Sequence, residues 1–441
     1  MPVPTGRLAL AVTLASLVVL VLPLPVPFGL IVVNGVLLAV AAADWLRAPR
    51  TSDLTVEREL PGTVGLGAPA EITWRVRNAT GRAVDVRLAD ELAPSLRAGT
   101  RRARLLVPAN GRAMARTGFR PARRGRFDPA EVVLRTRGPL GLAARQGRVS
   151  LPGTVRVYPP FRSRQEAELR IEKARILEVG LRSAAGRGGG TEFDSLREYG
   201  PDDELRRVDW AATARAGKPI VRTYRAERNQ TVLLLLDVGR TMAGRVELPD
   251  QETAAPRLDH AMDAVMMLTA VATRLGDRAG LVAFDDRVRA IVAPRHGRDQ
   301  LTRVTEAMYA LEPALVESDY LGAFTDTLTR FRRRALLVIL TELTQEGVTE
   351  TLLPALPLIA RDHLVVVASV TDPKVAGWAR AVPSDAASAY RKAAAVTALA
   401  DRRATAARLR ALGAVVVDAE PGKLAPQLAD AYLKVKATGR L

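Results

Sequence analysis

At 441 residues the chain exceeds the size at which one hydrophobic core usually stops growing, so two soluble domains plus an anchor are the natural division. The absence of cysteine excludes disulfides, thiolate zinc sites and a cysteine nucleophile, and an aromatic content of 4% leaves few platforms for stacking bases. A formal net charge of +18 suits anionic lipid, nucleic acid or an acidic protein face, but the arginines are scattered and form no long runs, which reads as compositional bias and ranks nucleic acid behind protein as a partner.

From Leu8 to Leu22 every residue is apolar or a small hydroxyl one; Pro23, Pro25 and Pro27 interrupt, and apolar character resumes from Phe28 to Ala43 with Asn34 as the polar break. Two segments of about 15 to 18 residues at 1.5 Å per residue come close to a hydrocarbon core of about 30 Å, which predicts a transmembrane helical hairpin over residues 1–50. Arg7 precedes the first segment and Arg47 and Arg50 follow the second, so the positive-inside tendency places both ends, and the soluble domains, in the cytoplasm at the cell membrane. A cleaved signal peptide ending at Ala41-Ala-Ala43 is the competing reading, set against an apolar region far longer than a signal core.

Residues 51–160 change to short alternating runs bounded by Gly, Pro and Asn: Leu54–Arg58, Ala70–Arg77, Val84–Leu88, Glu131–Thr136 and Thr154–Tyr158. This is the pattern of half-buried strands and predicts a small antiparallel β-sandwich. Arg123–Asp128 and Gly138–Leu142 read as turns. No catalytic constellation is visible here, which suggests a spacer or interaction module.

Residues 161–230 read as a linker. Arg162–Glu178 has apolar positions at helical spacing, and Ala184–Gly190 is a glycine-rich loop with no Gly-Lys-Ser/Thr after it, so it makes a weak phosphate loop. The following segment packs Glu192, Asp194, Arg197, Glu198, Asp202, Asp203, Arg206, Arg207, Asp209 and Arg215 around Phe193, Tyr199 and Trp210. A salt-bridged latch partly buried by Trp210, a partner-docking surface and, last, a catalytic role are all open to such a set.

From Thr231 onward strand and helix alternate: strands near 231–237, 279–284, 288–293, 335–341, 363–370 and 414–418, and helices near 257–275, 298–311, 320–333, 349–361, within 384–412 and near 424–436. Continuously apolar strands such as Leu364–Ala368 predict an α/β doubly wound, mostly parallel sheet over residues 231–441, with ligands beyond the carboxyl ends of its strands. Asp237 ends the first strand and reads as a binding carboxylate. Asp285-Asp286 reads as a turn, and His260, His296 and His363 as isolated structural residues.

Leu196-Arg197-Glu198-Tyr199, Asp203, Arg206, Asp209-Trp210 and Ala214-Arg215, with the apolar start and the Tyr432–Gly439 tail, resemble the domain of unknown function 58 family. The resemblance implies a membrane-anchored bacterial protein with a von Willebrand factor A-like domain, working with a MoxR-type AAA+ ATPase in protein maturation or envelope-related processes. It also implies a metal-ion-dependent adhesion-type site, for which the matching positions are Asp237, Gly239, Thr241, Ser318, Asp319 and Glu342. Oxygen ligands of this kind suit Mg²⁺. Gly239 lacks the expected hydroxyl, and Glu342 is one methylene longer than the expected aspartate.

The leading expectation is therefore a non-enzymatic, membrane-tethered adaptor that binds protein through a degenerate adhesion-type site. A metal-dependent hydrolase built on Asp237, Glu342 and the carboxylates from Glu192 to Asp209, and a basic nucleic-acid or lipid-surface binder, are the alternatives.

Overall fold

The computed structural model describes residues 1–21, 26–184, 192–200, 203, 205, 208–225, 229–247 and 254–438. It divides into two compact units, Met1–Tyr158 and Pro159–Leu441. Pro23 and Pro25, the Gly186–Gly190 loop, and Asp202, Arg206 and Arg207 lie outside the described residues.

In the first unit, helices span Gly6–Val21 and Val26–Arg47. One helical stretch, Pro27–Asp53, is long and apolar enough to cross a membrane; Gly6–Val19 is a shorter apolar helix. The two helices approach closely at Gly29, where a Cβ would lie 2.7 Å from Val19 Cγ1. The polar break at Asn34 is satisfied one turn back, its Nδ2 donating to the Leu30 carbonyl at 2.8 Å.

The second helix is fastened to the β-rich part of its unit by Asp44, which is fully buried. Its carboxylate accepts from the backbone N–H groups of Leu140 (2.7 Å), Leu142 (2.8 Å) and Ala143 (2.9 Å), all in or beside the Gly138–Leu142 turn. Gly138 is required there by space, since a Cβ would sit 2.4 Å from Asp44 Cγ. Thr136 Oγ1 donates to Pro49 O at 2.7 Å and the Arg145 guanidinium lies 4.8 Å over the Trp45 ring, extending the same junction.

The strands form a five-stranded sheet, in the order Pro2–Pro4, Ala143–Ser150, Glu131–Arg137, Val84–Asp90, Arg102–Val107, and two three-stranded sheets. The apolar alternation is realised directly: Ile72, Trp74 and Val76 from Ala70–Asn78 share one core with Val84, Val86, Leu88, Val132 and Leu134. Two features depart from the sequence reading. Pro2–Pro4, assigned to the anchor, is an edge strand paired with Ala143–Arg145. Thr63–Gly65 and Val155–Tyr158 pair in parallel, so the region is not purely antiparallel.

One buried ion pair crosses this core. Arg58 Nη1 donates to Asp90 Oδ1 at 2.5 Å, with both side chains almost fully shielded, and Trp74 Nε1 donates to Asp90 Oδ2 at 2.6 Å. The second Arg58 nitrogen is held by the carbonyls of Pro129 and Leu151.

In the second unit a helix over Arg164–Ala184 precedes a two-stranded ribbon, Glu192–Glu198 with Ile220–Arg225. The main sheet has six strands in the order Val288–Arg295, Arg278–Phe284, Thr231–Asp237, Leu336–Leu340, Leu364–Val370, Val415–Ala419. All neighbours are parallel except the first two, which are joined by the Asp285-Asp286 turn. Alternate residues of the central strand serve opposite faces: Val232, Leu234 and Leu236 pack with the helices Arg257–Arg274 and Leu424–Ala437, while Leu233 and Leu235 pack with Tyr320–Arg330 and Leu353–Ala360. This is why Thr231–Asp237 is apolar without alternation.

His363 is structural: its Nδ1 accepts from the buried Ala335 N–H at 3.1 Å. Burial holds both His363 and His260 below the ordinary histidine range. The folded chain then refuses a proton that the unfolded chain takes up. Stability from these groups is fully present above about pH 6.5 and is lost as pH falls through that value toward their folded pKa. Replacing both by Gln is expected to flatten the fall in melting temperature between about pH 6.5 and 5; an unchanged slope would remove them from the acid response.

Candidate functional site

The strand order reverses at Thr231–Asp237 and Leu336–Leu340, so the crevice beyond their carboxyl ends is the place where an open α/β sheet binds. Asp237 stands there, completely buried. Its Oδ1 accepts from Ser318 Oγ (2.5 Å) and Gly239 N (2.8 Å), and its Oδ2 from Thr341 Oγ1 (2.6 Å) and Tyr320 OH (3.0 Å). Tyr320 OH and Thr341 Oγ1 are themselves 2.7 Å apart. Burial pushes the Asp237 carboxyl above the usual carboxylate range, against the four hydrogen bonds that pull it down. Burial and the adjacent Asp237 raise the Tyr320 phenol well above its ordinary value, so it stays a donor.

Of the six positions matched to an adhesion-type metal site, the structure brings together Asp237, Ser318 and the backbone of Gly239 and adds Tyr320 and Thr341, which the sequence reading did not single out. Their signal was present in position alone: Thr341 follows the central strand Leu336–Leu340, and Tyr320 opens the helix after the Ser318 loop. Thr241 is half-buried in the short turn Arg240–Ala243. Asp319 caps the helix Tyr320–Arg330, accepting from Gly322 N at 2.9 Å.

Glu342 turns into a separate cluster. Its carboxylate pairs with Arg402 Nη1 at 2.5 Å and Arg257 Nε at 3.1 Å and accepts from Ser369 Oγ at 3.2 Å. Arg402 is shared with Asp418, at 2.7 Å. Burial alone would favour a neutral Arg402, but Asp418 and Glu342 outweigh it and hold the guanidinium charged.

These donors do not fit Mg²⁺. A single carboxylate is offered, both of its oxygens are already saturated, and the second carboxylate faces two guanidiniums that would repel a cation. Among the described residues no group of three or more His, Asp or Glu side chains is placed to hold a metal. The structure separates Glu342 from Asp237, and Asp237, Ser318, Tyr320 and Thr341 form a closed hydrogen-bonded knot.

The knot also accounts for Gly239. Its φ of −76° is open to any residue, yet a Cβ would lie 2.1 Å from Ser318 Oγ and 3.2 Å from Asp237 Oδ1. Ser318 delivers its hydroxyl into the space a side chain at 239 would occupy. Gly239→Ser is therefore expected to cost about 1–3 kcal/mol from overpacking, and Ser318→Gly added to it to recover most of that loss. Thermal unfolding of the three variants checks this, and additive losses would refute the shared space.

The loop carrying Ser318 is fixed from beneath. Ala314 N donates to Val238 O, Arg240 N to Val316 O and Asp319 N to Asp285 O, at 2.8 to 2.9 Å. Above this framework Leu315 is 83% exposed and Leu321 59%, with Val316 beside them.

The described residues of the charged segment form a clamp. Arg197 grips Asp203 through both terminal nitrogens (2.7 and 2.6 Å), Gly200 N donates to the same carboxylate, and Tyr199 OH donates to the Asp203 carbonyl. Asp209 caps the helix Trp210–Ala216 and accepts from Arg222 Nε at 2.8 Å. Arg215 donates to the Ala211 carbonyl at the exposed end of that helix. The expectation that Trp210 buries the latch is overturned: the ring is 70% exposed, because the short helix it opens has only Ala212 buried.

Two mycobacterial proteins, uncharacterized protein Rv1480 of Mycobacterium tuberculosis and uncharacterized protein Mb1516 of Mycobacterium bovis, are each 32% identical over 191 residues, covering 42% of this chain. The chain spans about half the length of these relatives, 57%. Among solved structures, the CARDB domain of PF1109 from Pyrococcus furiosus matches in solution with 18% identity, 24% of this chain, 94% of that chain and a TM-score of 0.16. Its crystal structure in complex with di-metal ions matches with 15% identity, 24%, 87% and a TM-score of 0.17. At such scores the likeness bears on neither fold nor site. Residues 195–387, the stretch that carries both the Asp203 clamp and the Asp237 knot, match the family model described as protein of unknown function DUF58.

Proposed function

We propose that this chain is a non-catalytic, membrane-tethered binding module whose second unit docks a protein at the carboxyl rim of its sheet. The observation that carries the reading is the Pro313–Leu321 rim: Leu315 and Val316 on the loop and Leu321 in the first turn of the helix Tyr320–Arg330 are held out to solvent, the loop backbone fixed by bonds to Val238, Arg240 and Asp285 and Ser318 by the Asp237 knot. Exposed aliphatic anchors on a preorganised loop lose little entropy on binding. The strand order and the position of Asp237 favour a von Willebrand A-like domain, here with a hydroxyl-filled knot in place of the ion. Pro27–Asp53, with Arg7, Arg47 and Arg50 on one side, supports a membrane tether with the soluble units cytoplasmic. The family resemblance makes a MoxR-type AAA+ ATPase the first partner to test.

Leu315→Asp with Leu321→Asp is expected to reduce retention of that ATPase on the immobilised full chain by about tenfold or more, since core apolar anchors carry roughly 1–2 kcal/mol or more each. Chelator is expected to leave retention unchanged. Retention that survives the double substitution would refute the rim as the docking site, and a melting temperature raised by millimolar Mg²⁺ would reinstate the ion.

A further inference from the structure

A cavity of about 430 Å³ lies elsewhere in the second unit, at the carboxyl ends of Leu364–Val370 and Val415–Ala419, walled by the helices Pro373–Arg380 and Ala386–Ala411. Its size is that of a small-molecule site, and it opens beyond the carboxyl ends of two parallel strands, to one side of the switch point. We infer that it binds a small organic anion carrying two or more negative charges, of the phosphate or carboxylate type, through Arg380 and Arg403.

The acids at the cavity are already matched. Asp418 accepts from Thr371 Oγ1 (2.7 Å) and from Arg402 Nε (2.8 Å) and Nη2 (2.7 Å), while Glu420 takes Lys423 Nζ at 2.7 Å. Arg402 in turn is committed to Asp418 and Glu342. Two lining guanidiniums remain, Arg380 and Arg403, each exposed and neither in a hydrogen bond or ion-pair contact with another described residue. The field of Arg380 reaches Glu420, which places it over the same mouth.

A matched floor and a pair of uncommitted forks make the mouth a concave cationic surface, and guanidinium donors pair in a planar, two-point fashion with phosphate or carboxylate oxygens. Ala376, Ala379 and Leu399 add an apolar wall, which suits an organic anion better than a bare ion. The inference is independent of the rim described above, since none of these residues belongs to it.

The test is calorimetric titration of the full-length chain in detergent with pyrophosphate and with citrate at fixed ionic strength. Saturable one-site binding of either is expected, with Arg380→Ala and Arg403→Ala each weakening it about ten- to hundredfold and Arg303→Ala, an exposed arginine away from the cavity, leaving it unchanged. Which probe binds tells phosphate from carboxylate chemistry. No saturable binding of either, binding that survives both cavity substitutions, or an equal loss in Arg303→Ala would overturn the assignment. The last outcome would mean diffuse attraction to a chain of net charge +18.

Discussion

Asp90→Ala is expected to destabilise the first unit by about 3–5 kcal/mol, the usual consequence of stripping one partner from a buried ion pair. Arg58 would keep the carbonyls of Pro129 and Leu151 but lose its only counter-charge among the described residues, at a position where its side chain is 2% exposed. Trp74 Nε1, on a ring with no exposure, would lose its acceptor as well. Arg58→Met should cost nearly as much by leaving the Asp90 charge stranded. Because both substitutions damage one network, Arg58→Met with Asp90→Ala should cost clearly less than the two singles added together. Urea unfolding followed by fluorescence, with Trp45, Trp210 and Trp378 replaced by Phe so that Trp74 alone reports, reads all three; additive losses would show that Arg58 and Asp90 act separately.

At the knot, Asp237→Ala is expected to cost about 2–5 kcal/mol. Tyr320 and Thr341 can still serve each other across 2.7 Å, but Ser318 Oγ and Gly239 N would be left without an acceptor in a dry site. Asp237→Asn should cost much less, because the carboxyl is already biased toward its neutral form and an amide oxygen preserves one acceptor. The raised pKa fixes the pH dependence. The folded state holds the Asp237 proton more tightly than the unfolded state, so its contribution is greatest below about pH 4 and diminishes as pH rises through the folded pKa. If Asn proved as costly as Ala, the knot would depend on the full negative charge, and a cation at the rim would deserve renewed search.

Much of the second unit was legible because its signals are local. A strand buried on both faces must be apolar throughout, and Thr231–Asp237, Leu336–Leu340 and Leu364–Val370 were found within a residue or two for that reason. The helix Ala386–Ala411 falls within the expected 384–412, whereas the short helix Pro373–Arg380 was not singled out, since two turns offer too few positions for a periodic pattern to show. In the first unit, Arg102–Val107 and Arg112–Phe119 escaped because arginines occupy their solvent-facing positions and leave few apolar residues to count.

The site was legible only in part. Asp237 was found from its strand, yet Glu342 follows Thr341 by a single residue, and which of the two faces Asp237 is decided by alternation at the strand end together with distant Arg402. Nothing in the local sequence announces an arginine 60 residues away. Arg58, Asp90 and Trp74 were likewise invisible as a set, each being an ordinary strand residue until the sheets face each other.

The Asp44 junction has a mechanical consequence. A carboxylate at the end of Val26–Arg47 that takes three backbone protons of one turn, backed by the Thr136–Pro49 bond, leaves no swivel between helix and strands. Under the tethered reading, the β-rich body then behaves as a rigid bracket: changes in lipid thickness that lean the helix must rock the whole body by the same angle.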